Sequence, residues 1–136
     1  FQIPLLFFKP NSELKDTYAG IVQQTDILPT ILDYLNFDEP YTAFGESVFD
    51  TLAERNAYMY SGGIYQIMND SLILSFDQKN TIGIYNYLKD PSMKNDLKNE
   101  KSLPTWLPDR LENKLKAVVQ RHHRAMIQNR LVEREE

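Results

Sequence analysis

Two adjacent histidines, His122 and His123, are the residues whose chemistry stands out first, because imidazole titrates near neutral pH and binds metals. Neighbouring positions on a helix point about 100° apart, so the two rings cannot easily share one metal ion. His122 falls on the apolar stripe of a predicted helix, whereas His123 lies off that stripe. We therefore expect His122 to be packed as a structural side chain and His123 to be exposed.

Three arginines, Arg121, Arg124 and Arg130, surround the histidines and make the end of this predicted helix basic. Positive charge suits the negative pole of a helix dipole. A site for phosphate or a lipid head group is one interpretation of the cluster. The sequence alone favours the other interpretation, a solvated charged face.

A carboxylate and a hydroxyl come close in sequence at Asp26 and Thr30. A nucleophile needs a base and a partner that stabilises charge, and no histidine lies near these residues in the sequence. Thr25 and Asp26 are both good N-cap residues, and Pro29 suits a first helical turn. We therefore predict that this group caps a helix.

Five tyrosines could form a surface that stacks on carbohydrate, although aromatic residues are also ordinary residues of β-strands. They are Tyr58, Tyr60, Tyr65, Tyr85 and Tyr87. We predict that they pack in the core or on the faces of a sheet. Four polar residues of the turns, Asp77, Asn80, Asp90 and Asp96, do not match a calcium-binding EF-hand loop, because its glycine and final glutamate are missing.

The composition excludes several further classes of site. The chain has 136 residues, enough for one domain, and it has no cysteine for disulfides or thiolate metal sites. Its net charge of −4 argues against a nucleic-acid partner. The longest apolar run, residues 3–8, is too short to span a membrane. The sequence thus offers no catalytic, cofactor-binding or metal-ligating residue of its own.

The elements that would position these residues fall into two parts. Residues 3–8 (Ile3-Pro4-Leu5-Leu6-Phe7-Phe8) predict a strand covered on both faces, and a helix follows from Thr25 to Asn36. From Ala57 the apolar period changes to two, which predicts an antiparallel meander over residues 57–61, 64–68, 71–76 and 81–88. Two-residue turns are expected at Gly62-Gly63 and Asn69-Asp70.

A last helix is predicted from Pro108 to about Leu131, with its apolar stripe facing the sheet. The fold class expected for the chain is therefore α+β. We predict a division into residues 1–50, the end of a larger α/β domain, and residues 51–136, a subdomain of the antiparallel sheet and the last helix.

Four motifs, in this order along the chain, resemble the late part of the sulfatase family in the alkaline phosphatase superfamily. They are Ile-Pro-Leu-Leu at residues 3–6, Asp-Ile-Leu-Pro-Thr at 26–30, Phe-Gly-Glu-Ser-Val-Phe at 44–49, and Ile-Tyr-Asn-Tyr-Leu-Lys-Asp-Pro at 84–91 with Asn-Asp-Leu at 95–97. Within this family, the sequence around residues 24–35 and 41–49 is most similar to the lipoteichoic acid synthase-like, or phosphoglycerol transferase, branch.

The resemblance implies a parent enzyme of α/β, alkaline phosphatase-like fold that uses a bound divalent metal, manganese, calcium or magnesium, to transfer or hydrolyse phosphate or sulfate esters. In this branch the catalytic domain is anchored to the membrane and lies outside it. The family's nucleophile and metal ligands precede the part that this chain resembles, and the chain has no Asp-His pair. We therefore expect the chain alone to be inactive.

The expected partner is the remainder of the parent catalytic domain, and the membrane is reached only through the parent's anchor. Residues 3–8 could instead pair with a second copy of the chain, because an unpaired apolar strand recruits other strands. Two alternatives to the transferase stay open. One is a fragment of a sulfate- or phosphate-ester hydrolase, and the other is a stand-alone structural or binding module.

Overall fold

The computed structural model of the protein describes residues 3–13 and 15–131. A short 3-10 turn, Gln24–Asp26, leads into helix α1, Ile27–Tyr34. Four strands follow, and then helix α2. They are β1 Asn56–Ser61, β2 Ile64–Asn69, β3 Leu72–Phe76, β4 Thr81–Asn86 and α2 Leu107–Ile127. The predicted α+β class and the four-stranded meander with a C-terminal helix are confirmed.

Each strand of the sheet pairs antiparallel with its neighbour in sequence, in the order β1-β2-β3-β4. Gly62 and Gly63 form the predicted first turn with φ of +57° and +86°, a backbone that favours glycine. The second turn falls at Asp70 and Ser71, one residue later than predicted, because Asn69 remains paired with Leu72. Asn69 is held in the ladder by its amide, which donates to the side-chain oxygen of Asn56 at 3.0 Å.

The apolar core lies between one face of the sheet and the first half of α2. The strand register sets Tyr58, Ile67, Leu74 and Ile84 side by side in one row across all four strands. Leu111 and Leu115, one helical turn apart, bring the helix down onto this face. The fully buried members of the core are Ile67, Leu74, Ile84, Leu111 and Leu115. Each contributes roughly 1.5–3 kcal/mol by leaving water.

The outer edge of β4 is covered by the segment that follows it. The Ile84 N–H donates to the Asp96 carboxylate at 3.0 Å, and the Leu97 N–H donates to the Ile84 carbonyl at 2.7 Å. The Lys98 ammonium reaches the Thr81 carbonyl. The edge is thereby closed to pairing with another strand along this stretch.

The predicted strand over residues 3–8 does not form within the described part of the chain, and this prediction is wrong for the chain as it stands. These residues carry neither helix nor strand, and Leu6 and Phe8 are 85% and 81% exposed. A strand needs a neighbour to satisfy its backbone groups, and no described strand lies beside this segment. Directly after the segment, the Lys9 ammonium donates to the Tyr34 hydroxyl at 2.9 Å.

Both helices are shorter than predicted at their C-terminal ends. Helix α1 stops at Tyr34 rather than Asn36, and α2 stops at Ile127 rather than Leu131. Asn36 and Asn129 both take positive φ, of 53° and 51°, a conformation that asparagine tolerates and that ends a helix. The helical spacing of residues in the sequence continues to these positions, but the helical backbone ends before them.

Candidate functional site

The most elaborate polar arrangement of the molecule lies at the start of α1, around the buried carboxylate of Asp26, which is 4% exposed. One carboxylate oxygen accepts a hydrogen bond from the Gln23 N–H and the other accepts from the Glu46 N–H, both at 3.0 Å. Asp26 stands at the N-cap position of α1, as predicted, but its carboxylate makes no cap bond to α1. It completes the capping box of the preceding 3-10 turn through the Gln23 N–H and also binds a loop twenty residues later.

Thr30, one turn further along α1, is 3% exposed and fastens the same loop. Its hydroxyl donates to the Asp26 carbonyl at 2.6 Å and accepts from the Val48 N–H at 3.1 Å. Gly45 presses so closely on this turn that a Cβ there would meet the Thr25 carbonyl oxygen at 2.2 Å. We call this arrangement, formed by Gln23, Asp26, Thr30 and residues 45–48, the helix–loop junction.

Arg55 and Gln23 connect the helix–loop junction to the sheet. The Arg55 guanidinium, just before β1, donates to the carbonyls of Ser47 at 2.6 Å and Asp50 at 2.8 Å. The Gln23 side-chain oxygen accepts the Tyr58 N–H of the edge strand β1 at 3.1 Å. The loop is therefore held from α1 on one side and from the sheet on the other.

The geometry of the helix–loop junction explains positioning and leaves no room for nucleophilic chemistry. The Thr30 hydroxyl gives its proton to a backbone carbonyl, and both Asp26 oxygens receive backbone N–H groups. A nucleophile needs a base that can take its proton, and the Thr30 hydroxyl makes its hydrogen bonds with backbone groups of the described residues. What the junction does is set the path of residues 44–48 relative to α1.

The N-terminal third, residues 3–13 and 15–55, leaves many of its large apolar side chains exposed. Its described buried residues are Asp26, Pro29 and Thr30, whereas Leu28 and Leu35 on α1 are 51% and 63% exposed. We call the exposed side chains of residues 3–8 and α1 the apolar surface.

The structure places the two histidines differently from the prediction for His122. Both side chains are exposed, although His122 continues the stripe of Leu111 and Leu115. Val119 is the last residue of α2 that packs against the core cluster, and His122 lies beyond it. His122 instead meets the Phe44 ring edge-on at 5.3 Å, and His123 lies 3.4 Å from the Tyr65 hydroxyl.

The acidic residues of the turns hold backbone N–H groups. Asp77 accepts from the N–H groups of Lys79 and Asn80 within its turn. Asp90 accepts from those of Lys94 and Asn95 at 2.7 Å. The hydrogen bond from the Asn80 N–H is the main cause of the lowered pKa of Asp77, and the one from the Asn95 N–H is the main cause of the lowered pKa of Asp90. These carboxylates act as turn-forming groups.

No group of three or more His, Asp or Glu side chains that could hold a metal ion occurs among residues 3–13 and 15–131.

Four of the five tyrosines, Tyr58, Tyr60, Tyr65 and Tyr85, lie on strands of the sheet, whereas Tyr87 follows the end of β4. Tyr58 and Tyr65 contact the core, and burial, followed by the nearby Glu46 and Glu54 carboxylates, raises the pKa of Tyr58 to about 12. Tyr60 is 60% exposed, with its ring 4.5 Å from that of Tyr65. The two rings belong to residues paired across β1 and β2, and they pack against each other.

A cleft beside the start of α2 joins residues that the sequence analysis did not single out. Glu54 pairs with Arg110 and Lys114, both at 2.9 Å, and Trp106 lines the same cleft. The hydrogen bond from Lys114 is the main cause of the lowered pKa of Glu54. The spacing of four between Arg110 and Lys114 shows that they share a helix face, but nothing in the sequence pattern points to an acid some 60 positions earlier.

Among the described residues, no helix has the length and apolar character needed to cross a bilayer. A comparison of the chain with protein-family models finds no match, and a comparison with curated proteins finds none either.

Proposed function

We propose that this chain is the C-terminal part of an extracytoplasmic, metal-dependent, sulfatase-like phosphoglycerol transferase of the lipoteichoic acid synthase-like branch. In that enzyme the chain scaffolds and rims the active site without supplying a catalytic residue. The observation that carries the proposal is the apolar surface. It is what elements of a larger α/β sheet would present if their neighbouring strands came from other sequence.

The roles of the motif residues add support. Asp26 and Thr30 of the motif at residues 26–30 bind the loop of the motif at 44–49, so two distant motifs form one structural unit. Asp90 and Asp96 of the last motif order the loop after β4 and cover its edge. Side chains that jointly fix loop positions are suited to supporting a site built by other residues.

In this proposal the nucleophile and the divalent metal ligands, for manganese, calcium or magnesium, belong to the remainder of the parent domain. That domain covers the apolar surface, and the membrane is reached through the parent's anchor. A sulfate- or phosphate-ester hydrolase would make the same use of the chain. The two parents differ in their nucleophile, a threonine for the transferase and a Cys/Ser-x-Pro-x-Arg motif for the sulfatase.

The gene provides the decisive test. Sequencing upstream of the codon for Phe1 is expected to show an open reading frame that continues in phase and encodes membrane spans, a threonine nucleophile and an Asp-His metal pair. A Cys/Ser-x-Pro-x-Arg motif there would replace the transferase with a hydrolase. A start codon directly before Phe1 would overturn the proposal in favour of a stand-alone module.

A biochemical test separates scaffold from enzyme. The purified chain, assayed with a nitrophenyl phosphate ester and manganese, is expected to show no turnover above buffer. The longer protein encoded by the full reading frame is expected to turn the same ester over. Activity that follows the short chain through purification would contradict the scaffold role, because it would place the catalytic groups within these residues.

A further inference from the structure

The C-terminal end of α2 gathers three arginines around one open groove. Arg121, Arg124 and Arg130 line it together with the amide side chains of Gln120 and Gln128, and its volume is about 420 Å³. Helical spacing places Arg121 and Arg124 on one side of α2. Arg130 lies beyond the helix, so its presence in the groove depends on how the helix ends.

The helix ends in a turn that directs Arg130 back towards the groove. Asn129 has φ of 51°, the Arg130 N–H donates to the Ala125 carbonyl at 2.8 Å, and the Asn129 N–H donates to the Met126 carbonyl at 3.1 Å. This pattern is a Schellman motif, which reverses the chain at a helix terminus. The third guanidinium is thereby brought to the other two.

Arg121 is held in place by a second part of the molecule. Its guanidinium donates to the Ala43 carbonyl at 3.1 Å and lies 5.2 Å from the centre of the Phe44 ring. A guanidinium has five N–H donors, so this one hydrogen bond leaves others for a ligand. Fixing the side chain beforehand lowers the entropy cost of binding.

The charge balance of the groove is positive. No acidic residue occurs between Glu112 and Leu131, and the ion pairs of the described chain use Arg110, Lys114 and Lys116 instead of the groove arginines. The helix C-terminus opposes an anion with roughly half a negative charge. Three guanidinium groups outweigh that half charge, so the groove attracts anions.

We propose that Arg121, Arg124 and Arg130 bind a phosphate group of an anionic ligand. Guanidinium forks donate paired hydrogen bonds to phosphate oxygens. A phosphate offers oxygens in several directions, which suits cations that arrive from the helix face and from the reversed chain, whereas a single carboxylate offers one edge. The proposal rests on these residues alone and does not depend on the proposed function.

Binding of two phosphate probes to the full chain tests the site and separates its possible sources. The first probe is inorganic pyrophosphate, followed by NMR shifts of the amides of residues 117–130. The second probe is a phosphatidylcholine vesicle that contains phosphatidylglycerol, and its binding is measured by cosedimentation. Shifts with pyrophosphate identify a soluble phosphate as ligand, and binding to the vesicles alone identifies a lipid head group. Either result supports the site.

The matched variants are the triple substitution of Arg121, Arg124 and Arg130 by Gln and a control with the same loss of charge. The control replaces three exposed lysines of the loop after β4, Lys89, Lys94 and Lys101, by Gln. We expect R124Q alone to weaken binding by about tenfold and the arginine triple to abolish it. The lysine triple is expected to bind as the unchanged chain does.

Three outcomes would overturn the proposal. One is that the lysine triple substitution weakens binding as much as the arginine triple does, because the effect would then come from net charge alone. Another is the absence of binding to both probes. The third is binding only after Glu133, Glu135 and Glu136, which follow Leu131 in the sequence, are replaced by Gln, because the groove would then belong to the chain's own acidic end.

Discussion

The six core side chains between the sheet and α2 are between 0% and 6% exposed, whereas in the N-terminal third Leu6 is 85% exposed and the buried residues include Asp26 and Thr30. One region is built around an apolar cluster, with Asn56, Ser75 and Thr81 as buried polar residues of its strands. The other encloses a carboxylate and a hydroxyl in hydrogen bonds and leaves leucines in water. The first pattern is typical of a self-contained folding unit, and the second agrees with our proposal that this part of the chain joins a larger domain.

Replacing one leucine in each region gives the largest expected contrast. Leu74→Ala removes a fully buried side chain and should lower the free energy of unfolding by about 2–5 kcal/mol, through lost burial and the cavity left behind. Leu6→Ala makes the same chemical change at an exposed position and should alter it by less than about 0.5 kcal/mol. Urea denaturation measures both, and comparable losses would erase the distinction between the regions.

Asp26→Ala tests how much the buried hydrogen bonds of the N-terminal third stabilise that region. It leaves the N–H groups of Gln23 and Glu46 without their acceptor, at a cost of about 2 kcal/mol to local stability. Amide hydrogen exchange should accelerate at Glu46 and Val48 but not at Leu74. Asp33→Ala, which removes an exposed bond from the Ser47 hydroxyl, is the control and should have a much smaller effect. Faster exchange throughout the sheet would show that the regions unfold together.

The apolar surface should make the isolated chain self-associate. Light scattering after size exclusion is expected to show a mass that rises with concentration, through residues 3–8 and α1. The double substitution Leu6→Lys and Ile31→Lys should raise the dissociation constant by about tenfold or more. Ile127→Lys, at an 86% exposed position on α2, is the control and should change little. A strict monomer at high concentration would contradict the assignment of this surface as a contact site.

The smallest effect expected concerns the pH dependence of the sheet. The pKa of Tyr58 is raised to about 12 in the folded protein, from an ordinary value near 10. The stability it contributes is therefore complete below pH 10 and is lost as the pH rises towards 12. Because the ring is only half-buried, we expect about 1 kcal/mol.

Tyr58→Phe should flatten this alkaline loss in urea titrations at pH 9 to 12, and Tyr60→Phe should leave it in place. An unchanged profile in Tyr58→Phe would assign the alkaline sensitivity to other groups.

The sheet was predictable because its signals are local. The period of two, the Gly62-Gly63 turn and the helix from Pro108 need only neighbouring residues to be recognised, and the structure contains all three elements. The exact turn at Asp70 and Ser71 was not predictable, because it depends on the Asn69 amide meeting Asn56 across the ladder. The division at residue 50 remains a prediction.

The helix–loop junction and the position of His122 were beyond the sequence for a different reason. Asp26 looked like a helix cap because its type and place suit one, and its bond to the Glu46 N–H links positions that no short-range pattern connects. His122 continues the apolar stripe, but its burial depends on how far the core cluster extends along α2, and Val119 is the last helix residue packed against it. Periodicity indicates which face of a helix is apolar, and only the tertiary fold decides how much of that face is covered.

The pairing of every strand with its sequence neighbour has a consequence for the order of folding. Hairpins with short turns require little loop-closure entropy, so contacts of low sequence separation form within roughly milliseconds. The helix–loop junction links Asp26 to Glu46 and Gln23 to Tyr58, which are contacts of longer range. The sheet is therefore expected to form first. The helix–loop junction would then dock onto the edge of β1, where the Tyr58 N–H binds the Gln23 side chain.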